Sequence, residues 1–335
     1  MKSRASSLEK IVRKFRKLEI GILGDLMLAE LVRGEATRIS PEAPDPEVLV
    51  RNEHRPEGFP GGAGNVAANV AALGGRAVVF GAIGTDAAGK RLRRLLAERG
   101  IEASNLVREP GRVTPHKIRI AAHQQQLLRL DFERPHTIAS KTARLLSQRL
   151  ARRASRLDAL IISDYLKGCV TTELCSEISA LPGLSERRIP VLVDPKPEHP
   201  EICRGATVIT PNLREAESMA GRPLSDARER LAGAPRLRAS LGCSALVITR
   251  GGEGMTLVES DGQVQEIPSI PRPVYDVTGA GDTVIAVLAL ASAAGATLRE
   301  AAELANLAGG FVVLKFGTAT LSSEELLAAL RESGR

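Results

Sequence analysis

The chain has 335 residues, of which 43% are hydrophobic and only 2% aromatic, with no tryptophan. This composition is enough for a sizeable aliphatic core. The low aromatic content argues against modules that bind nucleic acid by base stacking. The net charge of +7 is moderate, and we interpret the arginine-rich segments as solvated helix faces. The four cysteines form no CxxC pair and no apolar run reaches transmembrane length, so we expect a cytoplasmic protein with reduced thiols.

The first predicted element is a basic amphipathic helix within residues 1–17, which lacks the apolar region of a signal peptide. After it, apolar strands alternate with helices, and this alternation indicates a mainly parallel central sheet with helices on both faces, a three-layer α/β/α sandwich. The strands are predicted at Leu18–Gly24, Ala77–Ala82, Ala159–Ser163, Pro190–Asp194, Thr207–Thr210 and Ala245–Thr249. The last third, after Gly279, is predicted to be mostly helical.

Two segments interrupt the alternation, at about residues 29–58 and 113–133. The first is proline-rich and extended, and the second has two β-like stretches around His123 and Gln124. Both follow sheet strands near the carboxyl edge, where open α/β sheets bind their ligands. We therefore expect a small β-sheet lid over the site, within a single domain that spans residues 1–335.

The run Asp-Val-Thr-Gly-Ala-Gly-Asp-Thr at 276–283 opens an alanine-rich helix. Small residues let the backbone approach a ligand, and free N–H groups at a helix start bind anions, here those of Gly279, Ala280 and Gly281. Asp282 adds a carboxylate beside them, which suits a base for an attacking hydroxyl in phosphoryl transfer. By itself, the run is better explained by a glycine-rich turn with an ordinary acidic residue in the first helical turn, and it is the rest of the chain that favours phosphoryl transfer.

A second glycine-rich turn enters a helix at residues 60–69. The backbone N–H groups of Gly61 and Gly62 are suited to a hydroxyl or phosphate, and Asn65 to a sugar hydroxyl. A tight turn with Asn65 as a helix cap explains the same residues.

Two further strand ends carry candidate nucleotide residues. Asn212 and Glu215 are three positions apart, which places an amide and a carboxylate on one helical face, suited to hydrated Mg²⁺ near phosphates. The same pair also fits a capping box, and both interpretations can hold. Thr249, Gly251 and Gly254 form a bend that suits the phosphates of a nucleotide or a plain β-turn.

Lysines follow two other predicted strands. Lys167 and Lys196 each come shortly after a carboxylate at the carboxyl edge of the sheet. They suit a phosphate as point charges, and surface salt bridges explain them equally well.

Taken together, these segments resemble the ribokinase-like (PfkB) carbohydrate kinases. The two signatures of that family, Gly-Gly-x-Gly-Asn and Asp-x-Thr-Gly-Ala-Gly-Asp, occur at 61–65 and 276–282 in the expected order, and the resemblance runs from about Ile20 to Leu330. Four segments are similar to the branch of the family that phosphorylates heptose 7-phosphate. They are residues 37–44, 125–132, 163–168 and 274–279.

The resemblance implies ATP-dependent phosphorylation of D-glycero-β-D-manno-heptose 7-phosphate at its C1 hydroxyl, a step toward ADP-heptose. It implies Asp282 as the base, Mg²⁺ held through Asn212 and Glu215, and a monovalent cation, usually K⁺, beside Asp276 and Thr278. It also implies a homodimer formed through the lid, with no nucleic-acid or membrane partner. The nucleotidyltransferase domain that some related enzymes carry is not expected in residues 1–335.

Substrate contacts are carried over from the family residue by residue. The implied sugar contacts are Asp25, Gly61, Gly62 and Asn65, and the candidates for the acceptor's own phosphate are Arg129, Lys167 and Lys196. One position departs from the family pattern after the first strand, because Ala29 stands where the family has an aspartate. A lost hydrogen bond to a charged group weakens binding by about 1.5–3 kcal/mol, and Glu30 is adjacent, although neighbouring residues on a strand face opposite ways.

Two alternatives stay open at this point. One is a kinase of the same family that acts on a different sugar or sugar phosphate, which Ala29 allows. The other is a non-catalytic paralogue that binds a sugar phosphate, although the presence of Asp282 argues against it. A dinucleotide-binding dehydrogenase is set aside, because the first strand is not followed by a GxGxxG turn.

Overall fold

Two β-sheets and their covering helices make up the computed structural model, which describes residues 2–41, 46–50, 56–122, 125–270, 274–315 and 317–333. The strands are β1 (Glu19–Gly24), β2 (Leu26–Ile39), β3 (Pro46–Leu49), β4 (Glu57–Gly62), β5 (Arg76–Ile83), β6 (Leu106–Arg108), β7 (His116–Ala122), β8 (Gln125–Phe132), β9 (Ala159–Ser163), β10 (Val191–Asp194), β11 (Val208–Ile209), β12 (Ala245–Thr249), β13 (Met255–Val258) and β14 (Val264–Ile267). The helices are α1 (Lys2–Lys14), α2 (Ala63–Ala72), α3 (Ala87–Glu98), α4 (Ser140–Ala154), α5 (Thr172–Ser179), α6 (Pro182–Ser185), α7 (Leu213–Ala220), α8 (Ala227–Leu241), α9 (Ala280–Ala293), α10 (Leu298–Val312) and α11 (Ser323–Ser333).

The larger sheet is mainly parallel, as the sequence predicted. Across the described residues its strand order is β14-β13-β12-β11-β10-β9-β1-β5-β6. The pairs from β6 to β12 are parallel, and β13 and β14 add an antiparallel edge. The carboxyl ends of β1, β9, β10 and β12 therefore meet at one edge, where the predicted site residues follow.

Each face of this sheet has its own aliphatic core. One core packs residues of β1 such as Ile20 and Ile22 against α2, α9 and α10, and the other packs Leu23 and Leu160 against α4, α5 and α8. The successive residues of β1 are all buried, which is expected for a strand covered on both faces. The result is the predicted three-layer sandwich. No described helix is long and apolar enough to cross a bilayer.

The basic N-terminal segment forms α1, whose apolar residues join the first core. Leu8, Ile11 and Val12 are buried there, and Arg331 of α11 pairs with Glu9 at 3.3 Å. The helix is therefore packed onto the body of the protein through its apolar face, with Arg4, Lys10, Arg13 and Lys14 exposed.

The smaller sheet is ordered β3-β2-β7-β8, and β4 pairs with β2. It is built from the two segments that interrupt the main alternation. Within those segments, residues 42–45, 51–55 and 123–124, and with them part of the predicted lid, lie outside the described residues.

The strands β7 and β8 give this sheet two chemically different faces. Side chains that are directly opposite share a face, so Lys117 opposite Asp131 and Arg119 opposite Arg129 form a charged face. Three residues of β8 lie on the other face together with Ile118 and Ile120. They are Leu128, Leu130 and Phe132, with exposed fractions of 50%, 37% and 54%.

All four cysteines are buried and none forms a disulfide, in agreement with the sequence. Burial raises the pKa of Cys169, Cys175 and Cys203 to about 12 and that of Cys243 to about 11. Thiolates are therefore strongly disfavoured.

Candidate active site

Asp282 lies in the first turn of α9 and is almost fully buried. Both of its carboxylate oxygens accept hydrogen bonds from side chains. Asn65 Nδ2 donates to Oδ2 at 2.6 Å, and the hydroxyl of Tyr165 donates to Oδ1 at 2.7 Å. Asn65 was among the predicted residues, whereas Tyr165 was missed; its place just after a strand end was the available signal.

Burial raises the pKa of Asp282 to about 6. The hydrogen bonds from Tyr165 and Asn65 and the ammonium of Lys196 act in the opposite direction and favour the carboxylate. A carboxylate whose pKa lies just below neutral is largely charged at pH 7 and still basic enough to accept a proton efficiently. These properties suit a general base.

Gly279 brings the two glycine-rich signatures together. Its φ of +80° is in the left-handed region, and a Cβ there would lie 2.6 Å from Nδ2 of Asn65. Glycine is therefore required both for the turn and for the close approach of α2 to α9. A second contact supports the same approach, since the Thr283 hydroxyl donates to Oδ1 of Asn69 at 2.8 Å.

The predicted anion-binding turn is only partly open. The N–H of Ala280 donates to the carbonyl of Val277 at 3.2 Å, so it is engaged within the turn. Gly281 differs, because a Cβ there would have no atom within 4 Å outside its own turn of α9. The open side of this turn is at Gly281.

A cavity of about 360 Å³ lies beside that turn. Thr249, Gly251 and Gly254 line it from the β12 side, and Ala280 and Gly281 line it from the α9 side. The structure thus brings the predicted nucleotide residues next to the predicted phosphoryl-transfer turn. Asn212 is not among the lining residues.

Asn212 and Glu215 form a full capping box at the start of α7. The side chain of Asn212 accepts from the N–H of Glu215 at 3.0 Å, and Oε2 of Glu215 accepts from the N–H of Asn212 at 2.9 Å. The other carboxylate oxygen of Glu215 accepts a hydrogen bond from Nζ of Lys196. Glu215 is thus committed to a cap and to an ion pair in this structure.

Lys196 lies at the Asp282 end of the site. Its Nζ is 5.6 Å from the centre of the Tyr165 ring, in addition to its contact with Glu215. Asp194, at the end of β10, adds a further acidic group that sequence reasoning did not select. Burial raises the pKa of Asp194 to about 8; Lys196 opposes this shift, and the charges of Asp282 and Glu215 reinforce it.

Asp25 is fully buried beneath the loop that follows β9. Its carboxylate accepts hydrogen bonds from the backbone N–H groups of Tyr165 and Lys167, both at 2.9 Å, and of Cys169 at 2.8 Å. With these donors bound and no exposed surface, Asp25 is a positioning residue here and not the open sugar contact that the sequence predicted. It holds the backbone that carries Tyr165.

Gly61 and Gly62 are also buried, at the end of β4. A Cβ at Gly62 would lie 2.4 Å from the carbonyl oxygen of Asp25, and one at Gly61 would lie 2.7 Å from Cγ of Met27. These glycines are therefore needed for the close packing of β4 on β2. They form the floor of the site, and this packing explains why glycine is needed at both positions without invoking a bound ligand.

The charged face of the small sheet is connected to the same loop. Lys167 donates to Oε1 of Glu133 at 2.8 Å, and Lys117 lies 3.5 Å from Oε2 of the same carboxylate. Arg129 is half exposed, and its Nε donates to Asp131 at 3.0 Å. Lys167 is thus ion-paired, whereas Arg129 has free donors left.

The departure at Ala29 is not compensated by its neighbour. Ala29 is in register with Lys117 on the charged face. Glu30 is on the opposite face, where it contacts Arg91 of α3 and, at 2.7 Å, His116. Glu30 therefore does not present its carboxylate on the face of Ala29.

Asp276 connects the turn before α9 with the turn after α10. Its Oδ1 accepts from the N–H of Thr278 and its Oδ2 from the N–H of Gly317, both at 2.9 Å. Although desolvation opposes it, these hydrogen bonds and the charge of Arg119 lower the pKa of Asp276. The turn at Asp276 and Thr278, where a monovalent cation is expected, is therefore adjacent to the turn at Gly317.

Comparison with known proteins gives a consistent result. Residues 29–326 match the model of the pfkB family of carbohydrate kinases. The chain is 42% identical over 324 residues to the bifunctional protein HldE of Geobacter metallireducens, covering 97% of this chain and 65% of that protein. It is 45% identical over 318 residues to the HldE of Halorhodospira halophila, covering 94% and 64%. The chain thus spans a little under two thirds of the length of these relatives.

Solved structures share the fold at low sequence identity. Phosphofructokinase-2 from Escherichia coli in complex with substrates and products has a TM-score of 0.76 at 23% identity, with 95% of this chain and 99% of that chain covered. A ribokinase candidate from Agrobacterium tumefaciens has a TM-score of 0.73 at 23% identity, with 94% and 98% covered.

Proposed function

This chain belongs to the pfkB family of carbohydrate kinases, which makes it an ATP-dependent sugar kinase, and we propose that its acceptor is D-glycero-β-D-manno-heptose 7-phosphate. The observation that carries the proposal is the buried carboxylate of Asp282 beside the cavity at Gly281. The relatives named HldE and the heptose-type segments of the sequence support the choice of acceptor.

The proposed chemistry is an in-line transfer. Asp282 accepts the proton of the C1 hydroxyl as that oxygen bonds to the γ-phosphorus of ATP, and the bond to the β-phosphate oxygen breaks to release ADP. The N–H groups at Gly279 and Gly281 stabilise charge on the transferring phosphoryl. Ala280, whose N–H bonds to Val277, contributes through the turn.

Thr249, Gly251 and Gly254 hold the nucleotide in this proposal, in the cavity that reaches Gly281. Mg²⁺, when bound with ATP, neutralises charge on the β- and γ-phosphates. The hard oxygens of Asn212 and Glu215 fit such an ion, through water, because both oxygens of Glu215 already have partners. The described residues contain no group of three or more acidic, histidine or cysteine side chains placed to bind a metal by themselves.

We also propose a monovalent cation, K⁺, at the turns joined by Asp276. The carboxylate of Asp276 organises both turns, and Thr278 is in the first of them. The charge of the cation would support the adjacent N–H groups of the anion site.

A homodimer through the small sheet is the proposed assembly. The face of β8 that carries Leu128, Leu130 and Phe132 is apolar and exposed. Exposed apolar edge strands are unfavourable in water, and pairing with a second copy would cover this one.

The test is ADP release from Mg-ATP in potassium buffer, with D-glycero-D-manno-heptose 7-phosphate as acceptor. Rapid release that depends on the acceptor supports the proposal. Absence of release would overturn the choice of acceptor, and a panel of other sugar phosphates would follow, because Ala29 removes one sugar contact of the family. Release with none of them would favour a protein that binds a sugar phosphate without turnover.

A further inference from the structure

A second cavity, of about 420 Å³, is lined by α3 and by the carboxyl ends of β5 and β6. This volume is in the range that small ligands occupy. Among the described strands β6 forms an edge of the main sheet, and β5 stands five positions from β12, roughly 24 Å along the sheet. The residues described as lining this cavity are all different from those that line the cavity at Gly281. The second cavity is therefore separate from the candidate active site.

Four cationic side chains line the second cavity. Lys90, Arg93 and Arg94 belong to α3, where the two arginines are three and four positions after the lysine and share one side of the helix with it. Arg108 ends β6 and is in register with Ile83, the last residue of β5, which also lines the cavity. All four cationic residues are exposed to solvent, so an incoming anion can reach them.

Three of these cations have no acidic partner in the part of the chain that the structure describes. The side chains of Lys90, Arg93 and Arg108 make neither a hydrogen bond nor an ion pair there. Arg94 has one carboxylate near it, that of Glu98 at 3.5 Å, and both side chains of this pair are more than half exposed. Such an exposed pair contributes little and is easily exchanged for another anion.

Two carboxylates that are near these cations in sequence have other partners. Asp86 caps α3: its Oδ1 accepts from the N–H of Gly89 and its Oδ2 from the N–H of Thr114, both at 2.8 Å. Glu109 is buried, where it accepts hydrogen bonds from two donors at the start of α4 and pairs with Arg112 at 3.4 Å. Neither carboxylate is among the described residues that line the cavity, so the positive charge of the cavity is left uncompensated by them.

We propose that this cavity is a second anion site, which binds a compact anion with two phosphate groups. Like charges that face one cleft repel one another, and a bound anion removes that repulsion. Four positive charges match two phosphate groups, each of which carries about two negative charges at pH 7. Guanidinium groups hold phosphate oxygens through paired hydrogen bonds, and the ammonium of Lys90 adds a point charge.

The lining of the cavity also limits the kind of anion. None of the described lining residues is aromatic, so a nucleobase would find no ring to stack on, and the phosphate groups must supply the recognition. Inorganic pyrophosphate and a sugar bisphosphate are the two sources of this chemistry. The inference does not depend on which sugar the kinase phosphorylates.

The experiment measures pyrophosphate binding to the whole protein by calorimetry, at fixed ionic strength and with a non-hydrolysable ATP analogue in the nucleotide site. Lys90→Gln, Arg93→Gln and Arg108→Gln are compared with Arg236→Gln, which removes an exposed arginine of α8 outside the cavity. We expect wild type to bind pyrophosphate at a single class of sites, and each cavity variant to bind it about 10- to 100-fold more weakly. Arg236→Gln should bind as wild type.

Fructose 1,6-bisphosphate and sulfate are titrated under the same conditions. Whichever of pyrophosphate and the bisphosphate binds more tightly, in a way that depends on Lys90, Arg93 and Arg108, identifies the source of the ligand. Sulfate is the control for simple charge attraction. Sulfate binding as tight as that of pyrophosphate, equal weakening in all four variants, or no binding by wild type would overturn the inference.

Kinetic measurements separate this site from the catalytic one. Without added pyrophosphate or bisphosphate, the three cavity variants should keep the wild-type kcat and the wild-type KM for ATP and for whichever sugar phosphate is turned over. A rise of either KM by about tenfold or more would assign these residues to the candidate active site and would also contradict the inference. Thermal unfolding checks that each variant is folded, as expected for exposed side chains.

The binding test uses no acceptor, so its result is independent of the proposed function. A wild-type protein that ignores heptose 7-phosphate but binds pyrophosphate through Lys90, Arg93 and Arg108 would disprove the acceptor and support the second anion site.

Discussion

The hydroxyl of Tyr165 donates a 2.7 Å hydrogen bond to Oδ1 of Asp282, while the Tyr165 ring lies 5.6 Å from Nζ of Lys196. One side chain therefore contacts both the candidate base and the cation nearest to it. Asp25 fixes the backbone of Tyr165 from below. Tyr165 is in this way a positioning residue for the base, and its removal should change the protonation of Asp282 more than the architecture of the site.

Tyr165→Phe should move the acidic limb of the pH–rate profile to higher pH. The hydrogen bond favours the carboxylate, so its loss raises the pKa of Asp282 above its present value of about 6. A hydrogen bond to a charged group is worth about 1.5–3 kcal/mol, which corresponds to a shift of about one to two pH units. The profile of kcat against pH checks this, and a limb that stays in place would show that the bond does not act on the base.

Asp282→Asn should lower kcat by about 10²- to 10⁴-fold, because the acceptor hydroxyl loses its proton acceptor. ATP affinity should remain close to that of wild type, since the cavity at Gly281 is untouched. ADP release and nucleotide binding are measured side by side, with Asp261→Asn in an exposed turn as control. Near-normal turnover would remove Asp282 from the role of base.

The wild-type protein should lose activity as the pH falls through about 6, because Asp282 becomes protonated. The free energy of unfolding should instead increase as the pH falls over this range. The folded-state pKa is raised from the ordinary 3.8, so the folded protein binds this proton more tightly than the unfolded chain, and stability falls as the pH rises from about 4 to 6. Two pKa units correspond to about 3 kcal/mol. Urea unfolding at several pH values tests the slope, which should be smaller in Asp282→Asn.

Gly279→Ala should change the shape of the turn, whereas Gly281→Ala should change only the contact of the turn with the nucleotide. The first puts a Cβ 2.6 Å from Asn65 at a φ of +80°, so we expect a loss of about 1–3 kcal/mol in stability and of most activity. The second meets no atom outside its own turn of α9, so stability should hold while the KM for ATP rises. Thermal unfolding and ATP kinetics distinguish the two, and equal melting temperatures would contradict the argument.

Asp25→Ala should destabilise the fold by roughly 3 kcal/mol or more, because three backbone N–H groups lose their charged acceptor in a buried place. The measurement is the midpoint of urea unfolding. If Asp25 instead contacted the sugar, Asp25→Ala would raise the KM for the acceptor and leave the midpoint of unfolding unchanged.

The sequence was sufficient to predict the layered fold and the edge of the sheet where the site lies, because buried strand runs and glycine-rich helix starts are local signals. From the two family signatures, Asn65 and Asp282 were expected in one site as sugar contact and base, but the hydrogen bond between them was not predicted. It did not predict the partners of Asp25 or the contact of Tyr165. Those depend on the loop after β9, where Leu166 adopts a φ of +55° and its N–H bonds to Asp164 at 2.8 Å. Leucine rarely adopts this conformation, so no local preference reveals it.

The ion-pair partners of the two lysines could not be predicted from the sequence either. Lys167 and Lys196 were correctly placed after strand ends, but their ion partners belong to other parts of the chain. Lys167 pairs with Glu133, which follows β8, and Lys196 pairs with Glu215 of α7. Only the folded arrangement decides which cation is already neutralised.

The four buried thiols also have a practical consequence. Alkylating dyes react with thiolates at accessible positions, and here burial keeps each cysteine protonated and covered. A single cysteine introduced at Leu127 of β8, which is 38% exposed and is not one of the three residues of the proposed dimer face, can therefore be labelled without replacing any native one. A fluorophore or spin label at that position would report on movement of β8 as acceptor and nucleotide bind, in an otherwise unmodified enzyme.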